Sequence, residues 1–134
     1  MSDKAPLTRG IETTIPALAA TTAGDQVVGE SPFAGTVTGV SLTSEAAVTG
    51  NDTNTRTFTI VNKGAAGAGT TVVATLALAT GVDLAAFDET AFTLSVVSGA
   101  TTVAEGDVLA CVEAYAAPGL AHSGGLVQIE IARS

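Results

Sequence analysis

The side chains that could serve as a general acid or base, or as a thiolate, are few: one His, one Cys and 13 Asp and Glu in 134 residues. Acid–base catalysis requires two carboxylates at a fixed separation, or a carboxylate beside an imidazole. Asp88 and Glu89 are adjacent, so in a strand they project to opposite faces and cannot act on one bond. Glu105 and Asp107 flank Gly106, where acidic residues are ordinary turn formers. His122 precedes Ser123, but a Ser–His pair needs an orienting acid and a positioned nucleophile, and no GxSxG elbow is present. His122 is therefore expected to be a solvated loop residue. Cys111 lies in an apolar run with no basic neighbour in sequence, the setting of a small hydrophobe and not of an activated thiolate. Asn51-Asp52-Thr53-Asn54 offers oxygen ligands but lacks the alternating spacing and terminal Glu of a calcium loop. Gly64–Gly69 is rich in glycine without the Lys-Ser/Thr that a phosphate loop carries. The expectation is a protein without catalytic, cofactor-binding or metal-binding residues.

Composition points the same way. Five Lys and Arg against 13 acidic residues give a net charge of −8, which leaves no basic cluster to neutralise phosphates or an anionic membrane surface. Neither nucleic acid nor membrane is expected as a partner. Only 13% of residues are charged while 46% are hydrophobic, which excludes the low-hydrophobicity, high-charge regime of disordered chains. Thr, Gly and Ser interrupt the apolar runs before any reaches the length of a membrane helix. A single Cys forms no internal disulfide. Met1–Pro6 lacks the charged and apolar regions of a secretory signal, so synthesis in a reducing cytosol is the expectation.

Thr and Val dominate beyond Ala and Gly, and both suit a pleated, half-buried surface. Strands are expected near Thr13–Leu18, Gln26–Glu30, Thr36–Thr43, Arg56–Val61, Thr71–Thr80, Asp88–Val96, Val108–Tyr115 and Leu126–Ala132, separated by Gly, Pro, Asn and Asp turns. Val37 is out of phase with Val40 and Leu42, so a bulge is expected at Gly39. Val82–Phe87 reads as one helical turn capped by Asp83. About eight short strands make an all-β, two-sheet sandwich of jelly-roll-like form the economical fold. Residues 25–134 would form that sandwich, and residues 1–24 an extended N-terminal arm. Ile11, Ile15 and Leu18 are its apolar anchors, candidates for binding a neighbouring subunit. Val73, Ala77, Leu109 and Cys111 fall on faces expected to point outward, and so much apolar exterior on a small domain implies association.

The run Ser31-Pro32-Phe33-Ala34-Gly35-Thr36-Val37, the segments Asn54–Thr57, Asn62-Lys63-Gly64 and Gly67–Thr71, and the C-terminal Glu105–Leu109 and Gly124–Val127 resemble small head proteins of tailed bacteriophages. These are the capsid decoration (cement) or minor capsid proteins, and the resemblance spans about residues 15–132. It implies a β-rich virion structural protein on the capsid exterior, binding the major capsid protein and its own copies as a homotrimer. The alternative is a head-fibre or receptor-binding module whose loops Asn51–Asn54 and Gly119–Gly125 meet a cell-surface glycan.

Overall fold

The structure is a computed structural model that describes residues 7–116 and 118–134; Met1–Pro6 of the expected arm lie outside them. Ten strands follow in order: β1 (Thr8–Ile15), β2 (Gly24–Glu30), β3 (Gly35–Ser44), β4 (Thr55–Gly64), β5 (Thr71–Leu78), β6 (Glu89–Ala91), β7 (Thr93–Leu94), β8 (Thr102–Val103), β9 (Val108–Ala116) and β10 (Gly125–Arg133). No helix occurs among them, and none is long and apolar enough to cross a membrane.

The pairings are nested. β1 pairs with β10, β2 with β9, β3 with β6 and β4 with β5, all antiparallel. That is the pattern of one long folded hairpin. Rolling it up adds the pairs β10·β3 and β9·β4 and yields two sheets, β1-β10-β3-β6 and β2-β9-β4-β5-β7, with β8 on the margin of β3. Two antiparallel sheets with this nested order form a jelly-roll sandwich, so the all-β expectation holds. The inner faces close over Val37, Val40 and Leu42 of β3, Phe58 and Ile60 of β4, Leu76 and Leu78 of β5, Leu109 and Cys111 of β9, and Val127, Ile129 and Ile131 of β10. Each fully buried side chain of this kind contributes about 1.5–3 kcal/mol over leaving it in water.

Bulges reconcile sequence phase with sheet face. Opposite β10 the register passes from Gly39 to Val37, leaving Thr38 extra, so Val37, Val40 and Leu42 all point inward. This is the offset expected around Gly39. A second bulge between Ile60 and Val61 makes Val73 the additional residue on β5, so Val73 and Ala74 are both buried. Val73 therefore does not face outward. On β9 both alternating sets are largely apolar, and Leu109 and Cys111, expected to point outward, face the core. Leu109 and Cys111 are buried because Ile60 and Phe58, inward on β4, sit opposite Cys111 and Glu113.

Two further expectations are corrected. Val82–Phe87 forms no helical turn. The Asp83 carboxylate instead accepts the Gly50 N–H at 2.7 Å, and Leu84 bridges Val48. The expected strand Asp88–Val96 crosses from one sheet to the other at buried Phe92, and Val96 emerges 99% exposed.

The N-terminal segment is not a free arm. Thr8–Ile15 pairs along its whole length with β10. Its inward set ends in Ile15, which is 1% exposed within the core.

Candidate functional site

At one end of the sandwich, the upper pole, strands β4 and β9 each carry a charged residue in the apolar phase. Arg56 shares the inward face of β4 with Phe58 and Ile60, and Glu113 shares that of β9 with Leu109 and Cys111. Their exposures are 0% and 4%, and His122, on the loop before β10, is 7% exposed beside them. Arg56 Nη1 donates to Glu113 Oε1 at 3.1 Å, and His122 Nε2 lies 2.5 Å from the same oxygen. The Gly124 N–H donates to His122 Nδ1 at 3.0 Å. That hydrogen bond fixes the tautomer: Nδ1 carries the lone pair and Nε2 carries the proton directed at Glu113. The other Arg56 donors reach main-chain carbonyls, Nε that of Leu120 and Nη2 those of Ala19 (2.8 Å) and Thr22 (2.9 Å). The His122 ring meets Phe58 edge-on with centroids 5.4 Å apart.

A carboxylate–imidazole pair is a component of acid–base sites, but here it is sealed. Among the described residues no hydroxyl or thiol bonds to His122, and no buried side-chain polar atom lacks a partner. The cluster ties the β1–β2 connection, β4, β9 and the loop before β10 into one block. Its chemistry is structural: a fixed guanidinium satisfies carbonyls that the end of the sandwich would otherwise leave unpaired. His122 is thus a buried, hydrogen-bonded residue, contrary to the solvated loop position expected. Arg56 and Glu113 were not singled out from sequence, although each stands in the apolar phase of its strand.

The remaining candidates separate. Asp107 closes its turn by accepting from the Ala104 N–H at 2.8 Å and the Asn62 amide at 3.0 Å. Asn51 Oδ1 accepts the N–H groups of Thr53 and Asn54, an Asx turn, and Asp52 accepts the Thr80 N–H. Among the described residues no three His, Cys, Asp or Glu are placed to hold a metal. The Cys111 thiol is pushed up to about 12, first by burial and then by the charges of Glu113 and Asp25.

The three proposed anchors fold back on their own chain. Ile15 is in the core. Ile11 is half-buried and lies so close to Gly29 of β2 that a Cβ there would come within 3.2 Å of it. Leu18 exchanges backbone hydrogen bonds with His122 at 3.0 and 3.1 Å. Ile15 is therefore spent on the fold and is not open to a neighbour.

The outer face of the second sheet is apolar and open in part. From the registers, one row across its strands holds Val27, Ala110, Val61 and Val72, of which Val27 and Val72 are exposed while Ala110 and Val61 are closed between them. Val112, Thr59 and Thr75 form the next row, and Ala114, Thr57 and Ala77 the third. Asp25, opposite Val112 on edge strand β2, is the charged residue in these rows. The outer face of the first sheet differs: Glu12, Glu89, Gln128 and Glu130 project there around a shallow depression of about 320 Å³ floored by Gly10, Gly39, Ser41 and Ala91. No family model, curated protein or solved structure matches this chain.

Proposed function

We propose that the chain is a virion structural protein that decorates the outside of a tailed-phage capsid, associating with its own copies as a homotrimer and with the major capsid protein. The outer face of the second sheet carries this reading. Three rows of Val, Ala and Thr across β2, β9, β4 and β5, with a single carboxylate at the margin, make a flat surface with little charge to desolvate. On a chain of net charge −8, it is the face on which copies approach without setting carboxylates against carboxylates. Three copies with this sheet turned toward a common axis would cover it and leave the acidic first sheet in water. The sealed Arg56–Glu113–His122 block suits the role, because a decoration protein works by a rigid shape and by covering surface. Purified protein added to head shells that lack it should appear as new density at symmetry positions in electron micrographs; bare shells at saturating protein would refute the reading.

The depression on the first sheet favours a second reading, a glycan-binding module, since Ser41, Glu89, Gln128 and Glu130 offer partners for sugar hydroxyls. No aromatic ring lines it to stack on a sugar face. A glycan array on which Glu130→Ala removes a wild-type signal would move the function there.

A further inference from the structure

The turn before β6 presents an aromatic ring to solvent at a conformational cost. Asp88 N–H bonds to the Ala85 carbonyl at 3.3 Å, and Phe87, third in that turn, has φ 58°. A Gly or Asn occupies such a position at little cost, and a bulky side chain rarely does. Phe87 is 79% exposed, so its ring adds little to the core. Its pedestal is firm all the same: the Phe87 N–H donates to the Ser44 carbonyl at 2.7 Å, and Leu84, three residues earlier, is buried against the Val48 bridge. Val82, on the same pole, is 39% exposed.

Charge is distributed unevenly about this ring. Glu45, Asp52, Asp83, Asp88 and Glu89 all lie exposed at the upper pole, placed there by the contacts of Glu45 with Gly124, Asp52 with Thr80, Asp83 with Gly50, Phe87 with Ser44, and Glu89 with Thr43. Arg56, the cation of this pole among the described residues, is buried on Glu113. Arg9, Lys63 and Arg133 sit at the opposite pole, interspersed with Glu30, Glu105 and Asp107.

We propose that the upper pole is the docking end of the module, with Phe87 as an anchor inserted into an apolar pocket of the shell whose rim is basic. An exposed aromatic on a rigid turn is the side chain type that dominates binding energy at interfaces, and the carboxylates around it select a Lys- or Arg-rich rim and speed encounter with it. A second copy of this chain fits less well: among the described residues its accessible cations are at the far pole, interspersed with carboxylates. This inference rests on the proposed role at the capsid, and adds which end meets the shell and through what chemistry.

The test is co-sedimentation of the protein with head shells that lack it, titrated at several NaCl concentrations. Phe87→Gly should keep or raise Tm, because it relieves the positive φ, while shell affinity falls roughly tenfold or more. Neutralising Glu45, Asp88 and Glu89 together to Gln, Asn and Gln should weaken binding at low salt and flatten its salt dependence. Wild-type affinity in Phe87→Gly would overturn the docking end and leave the capsid role standing. Failure of the wild type itself to bind shells would overturn both. Loss of self-association in Phe87→Gly, with shell binding intact, would hand the pole to a second copy and overturn the inference as stated.

Discussion

The most consequential single residues are those in which a strand spends an inward position on a charge. Glu113 accepts from Arg56 and His122 at one oxygen in a site almost closed to water. Removing it strands a buried guanidinium, a change that typically costs about 3–5 kcal/mol. Glu113→Ala should therefore lower the urea midpoint by that equivalent, and Glu113→Gln, which keeps an acceptor, by less. A loss below about 1 kcal/mol in Glu113→Ala would show the block to be dispensable. Cys111 gives a second residue-level prediction. The folded thiol holds its proton to about 12, against an ordinary 9.0. Its contribution to stability is thus complete below pH 9 and is lost as pH climbs from there toward 12. Unfolding midpoints should fall over that window more steeply in wild type than in Cys111→Ala, and native protein at pH 8 should resist thiol reagents until it unfolds. The buried cluster was partly legible in sequence. Arg56 is in phase with Phe58 and Ile60, which marks it as inward, but Glu113 is in phase with Leu109 and Cys111, the set expected to point outward. What hid it was β9, where either alternating set could have been the inward one until its pairing with β4 was known.

Among the elements, β1 separates most clearly what periodicity reveals from what it conceals. Thr8–Ile15 contains the alternation Ile11, Thr13, Ile15, but its partner β10 lies more than a hundred residues away, and nothing local announces that pairing. The same anchors therefore read equally well as an arm reaching for a neighbour. The difference is measurable. Ile15→Ala should destabilise the isolated protein by about 2–5 kcal/mol, as deletions from a filled core do, whereas an arm residue would leave thermal unfolding unchanged. The glycines of β3 test its bulge. A Cβ on Gly39 meets nothing within 4 Å, while one on Gly35 collides with the Ala132 carbonyl of β10. Gly39→Ala is expected to change stability by less than about 1 kcal/mol, and in the favourable direction, since it costs the unfolded chain freedom. Gly35→Ala should break the β3–β10 ladder at its end and cost several times more, read by the same urea titration. Most strands, their bounding turns and the bulge at Gly39 were legible because period-2 phase and Gly positions are local, although the first strand begins at Thr8 and not near Thr13, and β8 was not expected. The face of β9, the extra residue at Val73 and the crossing at Phe92 were not, because each is decided by a register with a distant strand.

For the molecule as a whole, the two sheet faces and the two poles are chemically distinct, and that asymmetry would set the geometry of the proposed association. The neutral face spans four strands at about 4.8 Å spacing and roughly 20 Å of strand length, some 400 Å². Covering such an area on both copies of a pair buries about 800 Å² in total, short of the roughly 1,200–2,000 Å² of stable protein contacts. Self-association through this face should accordingly be concentration-dependent in solution and tighten on a shell, where neighbouring sites supply a high effective concentration. Thr59 is the position at which to break it. It sits mid-face, between Val112 and Thr75, half-buried and outward, where a strand tolerates a longer polar side chain. Thr59→Glu should leave the fold and Tm nearly unchanged and drive sedimentation to the 13.1 kDa monomer, because each contact would then bury an unpaired carboxylate. Glu12→Gln, on the acidic face of the other sheet, should leave the oligomer as it is. If Thr59→Glu and wild type sediment alike as oligomers while Glu12→Gln dissociates, the copies meet through the first sheet instead, and the orientation with the Phe87 poles turned together toward the shell loses its basis.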